Sequence, residues 1–152
     1  MQIRIAAEAD IDDLARMRTA LWPEGALEEH RQEAAEAIEE PHSDRIVLVA
    51  VDDAGAVCGF AEASLRRDYV NGCETSPVAF LEGIYIEPRH RGGGLGRNLC
   101  LTVEAWGRAN GCRELASDAL LENAASHAFH SAIGFDETER VVYFRKVLAA
   151  EA

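Results

Sequence analysis

Arg91-Gly-Gly-Gly-Leu-Gly96 is the stretch that decides how this chain folds. Before it runs an apolar segment from Val78 to Glu87, which Pro88 stops. After it, Leu95, Leu99, Val103 and Trp106 recur at helical spacing until Gly111. The first pattern predicts a strand, and the second an amphipathic helix with a glycine terminator. A glycine turn between strand and helix aims unpaired backbone N–H groups and the positive end of the helix dipole at an anion. Without side chains, the main chain can approach a pyrophosphate closely. Arg91, Gly92, Gly93, Gly94, Leu95, Gly96 and the following Arg97 are therefore the candidate anion-binding residues.

Working outward, Gln2 to Ala6 alternates as a first strand, and Asp10 is placed to cap a helix that runs to Leu21 before Pro23. A second helix spans 27–40, its many glutamates forming a solvated face or a negative field above a site. Two apolar runs, 46–51 and 57–65, flank Asp52-Asp-Ala-Gly55 and predict a hairpin. The segment 68–77 is a polar loop around Asn71-Gly72. Short strands are expected at 114–117 and at Val141–Val147, with a helix at 122–133 between them. A central hairpin followed by alternating strands and helices predicts an α/β domain. Its sheet is mixed and mostly antiparallel, with helices on both faces, and residues 1–152 form one domain.

The chain has 152 residues, 48% of them hydrophobic and 28% charged. That length buries roughly 70% of the extended surface without disulfides or metal. Fifteen basic against 27 acidic side chains give a net charge of −12. Nucleic-acid binders and anionic-membrane binders need the opposite sign, so both are excluded. A cationic small molecule or basic peptide fits, although acidity also simply confers solubility. Cys58, Cys73, Cys100 and Cys112 form no metal-ligand or redox pattern, and no segment reads as a signal peptide or membrane span. A reduced, metal-free cytoplasmic protein is expected.

The glycine turn lacks the Gly-Lys-Ser/Thr ending of a Walker A loop and lies too far along the chain for a Rossmann fingerprint. It resembles the R-x-x-G-x-G/A turn of the GNAT superfamily of N-acetyltransferases, with Arg91, Gly94 and Gly96 at the matching positions. That resemblance implies coenzyme A pyrophosphate at the turn and acetyl-CoA as co-substrate. It also implies a sheet splayed at the acetyl-CoA cleft, where Ile84, Tyr85 and Ile86 face the acetyl and pantetheine groups. Asn123, Ser126, His130 and Gly134-Phe135 resemble the superfamily's second motif. There an asparagine contacts pantetheine, and a tyrosine seven residues on protonates the leaving thiolate. Here that position is His130, which can donate a proton near neutral pH or simply pack. Ser126 stands where a small apolar residue is usual.

Leu21-Trp-Pro23, Asp68-Tyr-Val-Asn-Gly-Cys73, Ser76-Pro-Val78, Phe80-Leu-Glu-Gly-Ile84, Ala116-Ser-Asp118 and Gly134-Phe-Asp-Glu-Thr-Glu-Arg-Val141 narrow the resemblance. Together they are similar to the chromosomal-type aminoglycoside 6'-N-acetyltransferases. The implied activity is acetyl transfer to an aminoglycoside 6'-amine by direct attack in a ternary complex, conferring resistance. A homodimer, with an acidic pocket beside the coenzyme A cleft, is implied as well. So are Trp22 along the sugar rings and Tyr69 against the acceptor; without the resemblance they read as a hydrophobic plug and a loop residue.

Glu82 stands out from the residues themselves. It interrupts the apolar run 78–86, where a charge is costly unless it faces a cleft or partner. Gly83 beside it signals a bulge or a close backbone approach. Asp118 ends the next short strand, at the edge where ligands of open sheets gather, or it caps the following helix. Glu139 opens the last expected strand and completes the negative wall, or is a surface charge. A primary ammonium must lose a proton before it attacks, and Glu82 or Asp118 can accept it directly or through water. A backbone N–H from 84–86 can meet the developing oxyanion. The competing readings are a protein N-terminal or polyamine acetyltransferase, a non-catalytic coenzyme A-binding regulatory module, and a plain acidic structural protein.

Overall fold

The computed structural model describes Met1–Glu151 and resolves into two compact units, which divide after Asp118. The first unit is built on a five-stranded sheet in the order β1-β2-β3-β4-β5. Its strands are β1 (Gln2–Ile5), β2 (Arg45–Val51), β3 (Val57–Arg66), β4 (Val78–Ile86) and β5 (Leu115–Ser117). The first four pair antiparallel, and β5 joins β4 in parallel. Three helices pack on it: α1 (Ile11–Leu21), α2 (Leu27–Glu39) and α3 (Leu95–Ala109).

Strand alternation explains the layering. Phe60 of β3 and its cross-strand partner Val49 face one side, where Leu14 and Met17 of α1 and Ala34 of α2 close a buried cluster. Leu65 and its partner Ala79 face the other side, with Cys112, Trp106 and Leu115. The stripe read from sequence on α3 is the buried one: Leu95, Leu99 and Val103 are all in the core. Gly107 brings α3 tight against β4, since a Cβ there would lie 2.9 Å from that of Ala79. The mixed sheet with helices on both faces is thus observed.

Asp10 does not cap α1 through its side chain. A 3-10 turn, Glu8–Asp10, precedes the helix, and the Asp10 carboxylate accepts from the Ala7 amide at 2.7 Å and from both terminal nitrogens of Arg4 at 2.7 and 3.0 Å. With a guanidinium within reach, the buried carboxylate is used to tie β1 to the start of α1 rather than to satisfy helix amides. These contacts, Arg4 foremost, hold its pKa below the usual carboxylate range.

The second unit contains α4 (Ala124–Ala132), capped by Asn123, whose side chain accepts from the Ser126 amide at 3.1 Å. The strand expected at Val141–Val147 is not formed. Alternating β-branched and aromatic residues report a preference, but a strand also needs a neighbour to pair its backbone. Instead Val142, Tyr143, Phe144, Val147 and Leu148 are all strongly exposed. Among the described residues, no helix is long and apolar enough to cross a membrane.

Candidate active site

The sheet forks. β5 pairs with β4 only through Ala79, Phe80 and Leu81, opposite Leu115, Ala116 and Ser117. The Ser117 hydroxyl donates to the Leu81 carbonyl at 3.2 Å, at the last paired rung. Beyond that rung the next residues are Glu82 on β4 and Asp118 after β5, so the two carboxylates singled out from sequence stand at the parting of the strands. Because α4 is capped by Asn123, Asp118 does not serve as its cap.

The expected bulge sits at Glu82. Glu62 of β3 pairs with Gly83 and Ala63 with Leu81, leaving Glu82 as the extra residue on β4. Past the bulge, Ile84, Tyr85 and Ile86 pair with Ala61, Phe60 and Gly59 on one side and have no β5 partner on the other. Gly83 has a second duty. A Cβ there would lie 2.4 and 2.5 Å from the ring carbons Cζ2 and Cη2 of Trp22, so the indole edge rests on the β4 backbone.

Trp22 is therefore packed against β4 as a plug. Its ring is half-buried, stacked on His30 at 6.2 Å between centroids and edge-on to Phe60 at 6.2 Å. The His30 ring nitrogen Nε2 lies 2.9 Å from the Trp22 carbonyl, and the Arg18 guanidinium lies 4.9 Å from the indole centroid. Arg18 is itself buried and ion-paired with Glu62 and Glu33. The sequence reading missed Arg18 and Glu62. The available signal was the same as for Glu82: a charge inside an apolar strand or on the apolar face of a helix.

Glu82 is not bare. The Ser64 hydroxyl donates to its Oε1 at 2.5 Å, and Nη2 of Arg66 donates to both carboxylate oxygens at 2.9 Å. Tyr69 is largely exposed in the loop between β3 and β4. That loop is pinned by Glu114, which accepts from the Glu74 and Thr75 amides at 2.9 and 2.7 Å and from the Thr75 hydroxyl. The Thr75 hydroxyl, then the Glu74 amide, hold the Glu114 carboxyl below its usual range.

At the other end of β4, the glycine turn has the conformation that its composition predicts. Gly92 and Gly94 adopt φ of 87° and 84°, the left-handed region, and Gly94 immediately precedes α3. No atom lies within 4 Å of a Cβ built on Gly92, Gly93 or Gly94, so the backbone is open to a ligand. The first turn of α3 carries no acidic residue, and Arg91 folds back, donating from Nε to the Ile86 carbonyl at 2.8 Å. Exposed main chain, the helix N-terminus and Arg89, Arg91 and Arg97 suit a phosphorylated ligand such as coenzyme A.

Asn123, His130 and Glu139 belong to the second unit. Asn123 caps α4, as above. His130 Nδ1 lies 2.7 Å from the Ser126 carbonyl and so carries the proton of that bond. Its ring packs edge-on against Phe129 and Phe135 at 5.8 and 5.1 Å. Glu139 is exposed and lies in no strand, which corrects the expectation that it opens one. All four cysteines are free, and burial raises the thiol of Cys100 to about 11. None is poised as a nucleophile.

The comparisons agree with this geometry. The model of the acetyltransferase (GNAT) family matches residues 11–135. The chain is 48% identical over 146 residues to an aminoglycoside N(6')-acetyltransferase type 1 of Serratia marcescens, covering 96% of this chain and 99% of the relative. With one from Stenotrophomonas maltophilia it shares 49% over 152 residues, or 99% and 95% of the two chains. Among solved structures, the apo aminoglycoside antibiotic 6'-N-acetyltransferase of Acinetobacter haemolyticus superposes with a TM-score of 0.92 at 42% identity, covering 98% of this chain and 100% of that one. An AAC(6')-Iy complexed with a bisubstrate analogue joining CoA to acetylneamine gives 0.87 at 41% identity, covering 97% and 98%. An open glycine turn leading into a helix, two carboxylates just past the last rung shared by β4 and β5, and relatives matched along nearly their whole length have one explanation: the chain belongs to the GNAT family of acetyltransferases, among the aminoglycoside N(6')-acetyltransferases type 1.

Proposed function

We propose that this protein transfers the acetyl group of acetyl-CoA to the 6'-amine of aminoglycosides, and so confers resistance to them. The observation that carries the reading is the fork, where Glu82 and Asp118 follow the last rung shared by β4 and β5. Carboxylates there bind an ammonium and take its proton, leaving a neutral amine. Acetyl-CoA supplies the activated thioester. Arg91, Gly92, Gly93, Gly94, Leu95, Gly96 and Arg97 hold its pyrophosphate. The backbone of Ile84, Tyr85 and Ile86, lacking a β5 partner, supplies hydrogen bonds along the cleft. Trp22 and Tyr69 line the acceptor's rings. Three further assignments rest on motif resemblance: Asn123 to pantetheine, His130 as the proton donor to the thiolate, and Glu139 to a substrate ammonium.

Four properties complete the reading. The family match at 11–135 crosses both compact units, which supports one acetyltransferase domain. The exposed apolar run between Val141 and Leu148 supports a homodimer, since such a patch calls for cover. Four free thiols support a reducing, cytoplasmic setting. A net charge of −12 supports a polycationic substrate.

The test is thiol release from acetyl-CoA with kanamycin, beside paromomycin, which bears a hydroxyl at its 6' carbon. Release with kanamycin and little with paromomycin is expected. Equal release moves the target amine elsewhere, and silence with both overturns the reading.

A further inference from the structure

Glu82 carries a cation already. Arg66, the last residue of β3, donates from Nη2 to Oε1 and Oε2 at 2.9 Å and from Nε to Oε1 at 3.2 Å. Its guanidinium carbon lies 3.5 Å from the centroid of Phe80, and Ser64 takes a further lone pair of Oε1. Three of these contacts fall on Oε1 and one on Oε2, so one oxygen is fully engaged and the carboxylate's charge is already paired. An ammonium that approaches Glu82 therefore meets a carboxylate already paired with a group of its own charge. The pair is also open to solvent: the Arg66 and Glu82 side chains remain 43% and 34% exposed. Water and an incoming cation can therefore reach and compete for both partners.

We propose that Arg66 is a displaceable occupant of the cation site on Glu82, a built-in competitor of the substrate ammonium that withdraws when a polycation binds. The idea rests on the reading of Glu82 as an amine-binding carboxylate. Phe80 gives the guanidinium a resting surface while it occupies the site. The occupant also keeps a carboxylate at the fork from holding lone monovalent amines, because a single ammonium gains no more from Glu82 than Arg66 already does. A substrate with several ammonium groups offsets the exchange through its other contacts.

The test compares Arg66→Gln, Arg66→Lys, Glu82→Gln and the Arg66→Gln/Glu82→Gln double variant, with KM measured separately for kanamycin and acetyl-CoA. Freeing Glu82 by Arg66→Gln is expected to lower the kanamycin KM about threefold to fivefold, the scale of an exposed ion pair. The acetyl-CoA KM should not change, and Arg66→Lys, which restores a competing cation, should return the kanamycin KM toward wild type. In the Glu82→Gln background, the gain from Arg66→Gln should vanish. If the loss of cover on Phe80 unfolds the Gln variant, Arg66→Met keeps the apolar stem and asks the same question. A kanamycin KM that rises or stays put in Arg66→Gln, while Glu82→Gln raises it, overturns the proposal alone. If Glu82→Gln leaves that KM unmoved, the reading of Glu82 falls and the proposal falls with it.

Discussion

Two glycines in this chain respond to the same substitution in opposite ways, and the contrast tests the site. At Gly83, an alanine Cβ would lie 2.4 and 2.5 Å from the Trp22 ring and 3.2 Å from Cδ2 of Leu21. The ring must retreat by roughly an ångström to reach van der Waals distance. It has little room to do so, because His30, Phe60 and Arg18 all contact it. Overpacking of this kind costs about 1–3 kcal/mol. For a chain of this size, that corresponds to a fall in Tm of roughly 3–10 °C. Gly83→Ala should also raise the KM for the aminoglycoside, since the displaced ring is Trp22, the proposed wall of the acceptor site.

At Gly93 the added methyl meets nothing within 4 Å, and its φ is not positive. Stability should therefore hold or rise by ~0.4–1 kcal/mol through the unfolded chain's lost freedom. The backbone there is expected to face pyrophosphate, so the acetyl-CoA KM should rise while the aminoglycoside KM does not. Gly94 would confuse the test, since its φ of 84° adds strain to any side-chain effect. Thermal melts and two-substrate kinetics on Gly83→Ala and Gly93→Ala read both quantities. As a check on the contact, Gly83→Ala should cost less in a Trp22→Phe background, whose shorter ring relieves the clash. A Gly83→Ala protein as stable as wild type, or a Gly93→Ala protein with an unchanged acetyl-CoA KM, refutes the corresponding half of the reasoning.

Removing Arg18 by Arg18→Met should destabilise the fold by about 3 kcal/mol in urea unfolding, because Glu62 is left as a poorly solvated charge against the sheet. Adding Glu62→Gln should recover much of that loss. Asp10 has a folded pKa below its ordinary value of 3.8, so its stabilisation is complete above that value and is lost as pH falls through the lower folded one. Asp10→Asn should therefore lower Tm at neutral pH and flatten the acid side of the Tm profile. Glu114→Gln should release the loop that bears Tyr69, raising the aminoglycoside KM with the acetyl-CoA KM unchanged, as steady-state kinetics will show. With the Cys100 thiol near 11 and buried, brief iodoacetamide treatment at neutral pH should spare it, and mass spectrometry should find half-buried Cys73 modified first.

Local patterns with local causes were legible in the sequence. The helical stripe on α3, the glycine turn and the bulge at Glu82 each follow from residues a few positions apart, and each is present. What depended on distant partners was not. Nor was a competing partner legible: Asp10 has the chemistry of a cap but is claimed by Arg4 of β1, six residues back, which no helix pattern scores. The run at 141–147 has the composition of a strand, and pairing is a property of two segments rather than one. Glu82 was visible because a charge in an apolar strand is expensive. Arg66 was not, since an arginine at a strand end looks like any solvated residue until the register sets it beside Glu82.

The net charge hides the division of labour that the proposed reaction needs. One substrate is a polyanion and the other a polycation, and a uniformly acidic surface would repel the first. Arginines 89, 91 and 97 cluster around the glycine turn at the C-terminal end of β4, where the first turn of α3 holds no acid. Glu82 and Asp118 lie at the fork on the other side of Ile84–Ile86. At physiological salt the Debye length is about 8 Å, less than the rise of three strand residues, so the two fields act largely independently. In the proposed reaction, the strand between them lets one small acidic chain hold both partners: it is long enough for salt to screen the charges from each other, and short enough for a pantetheine arm to span.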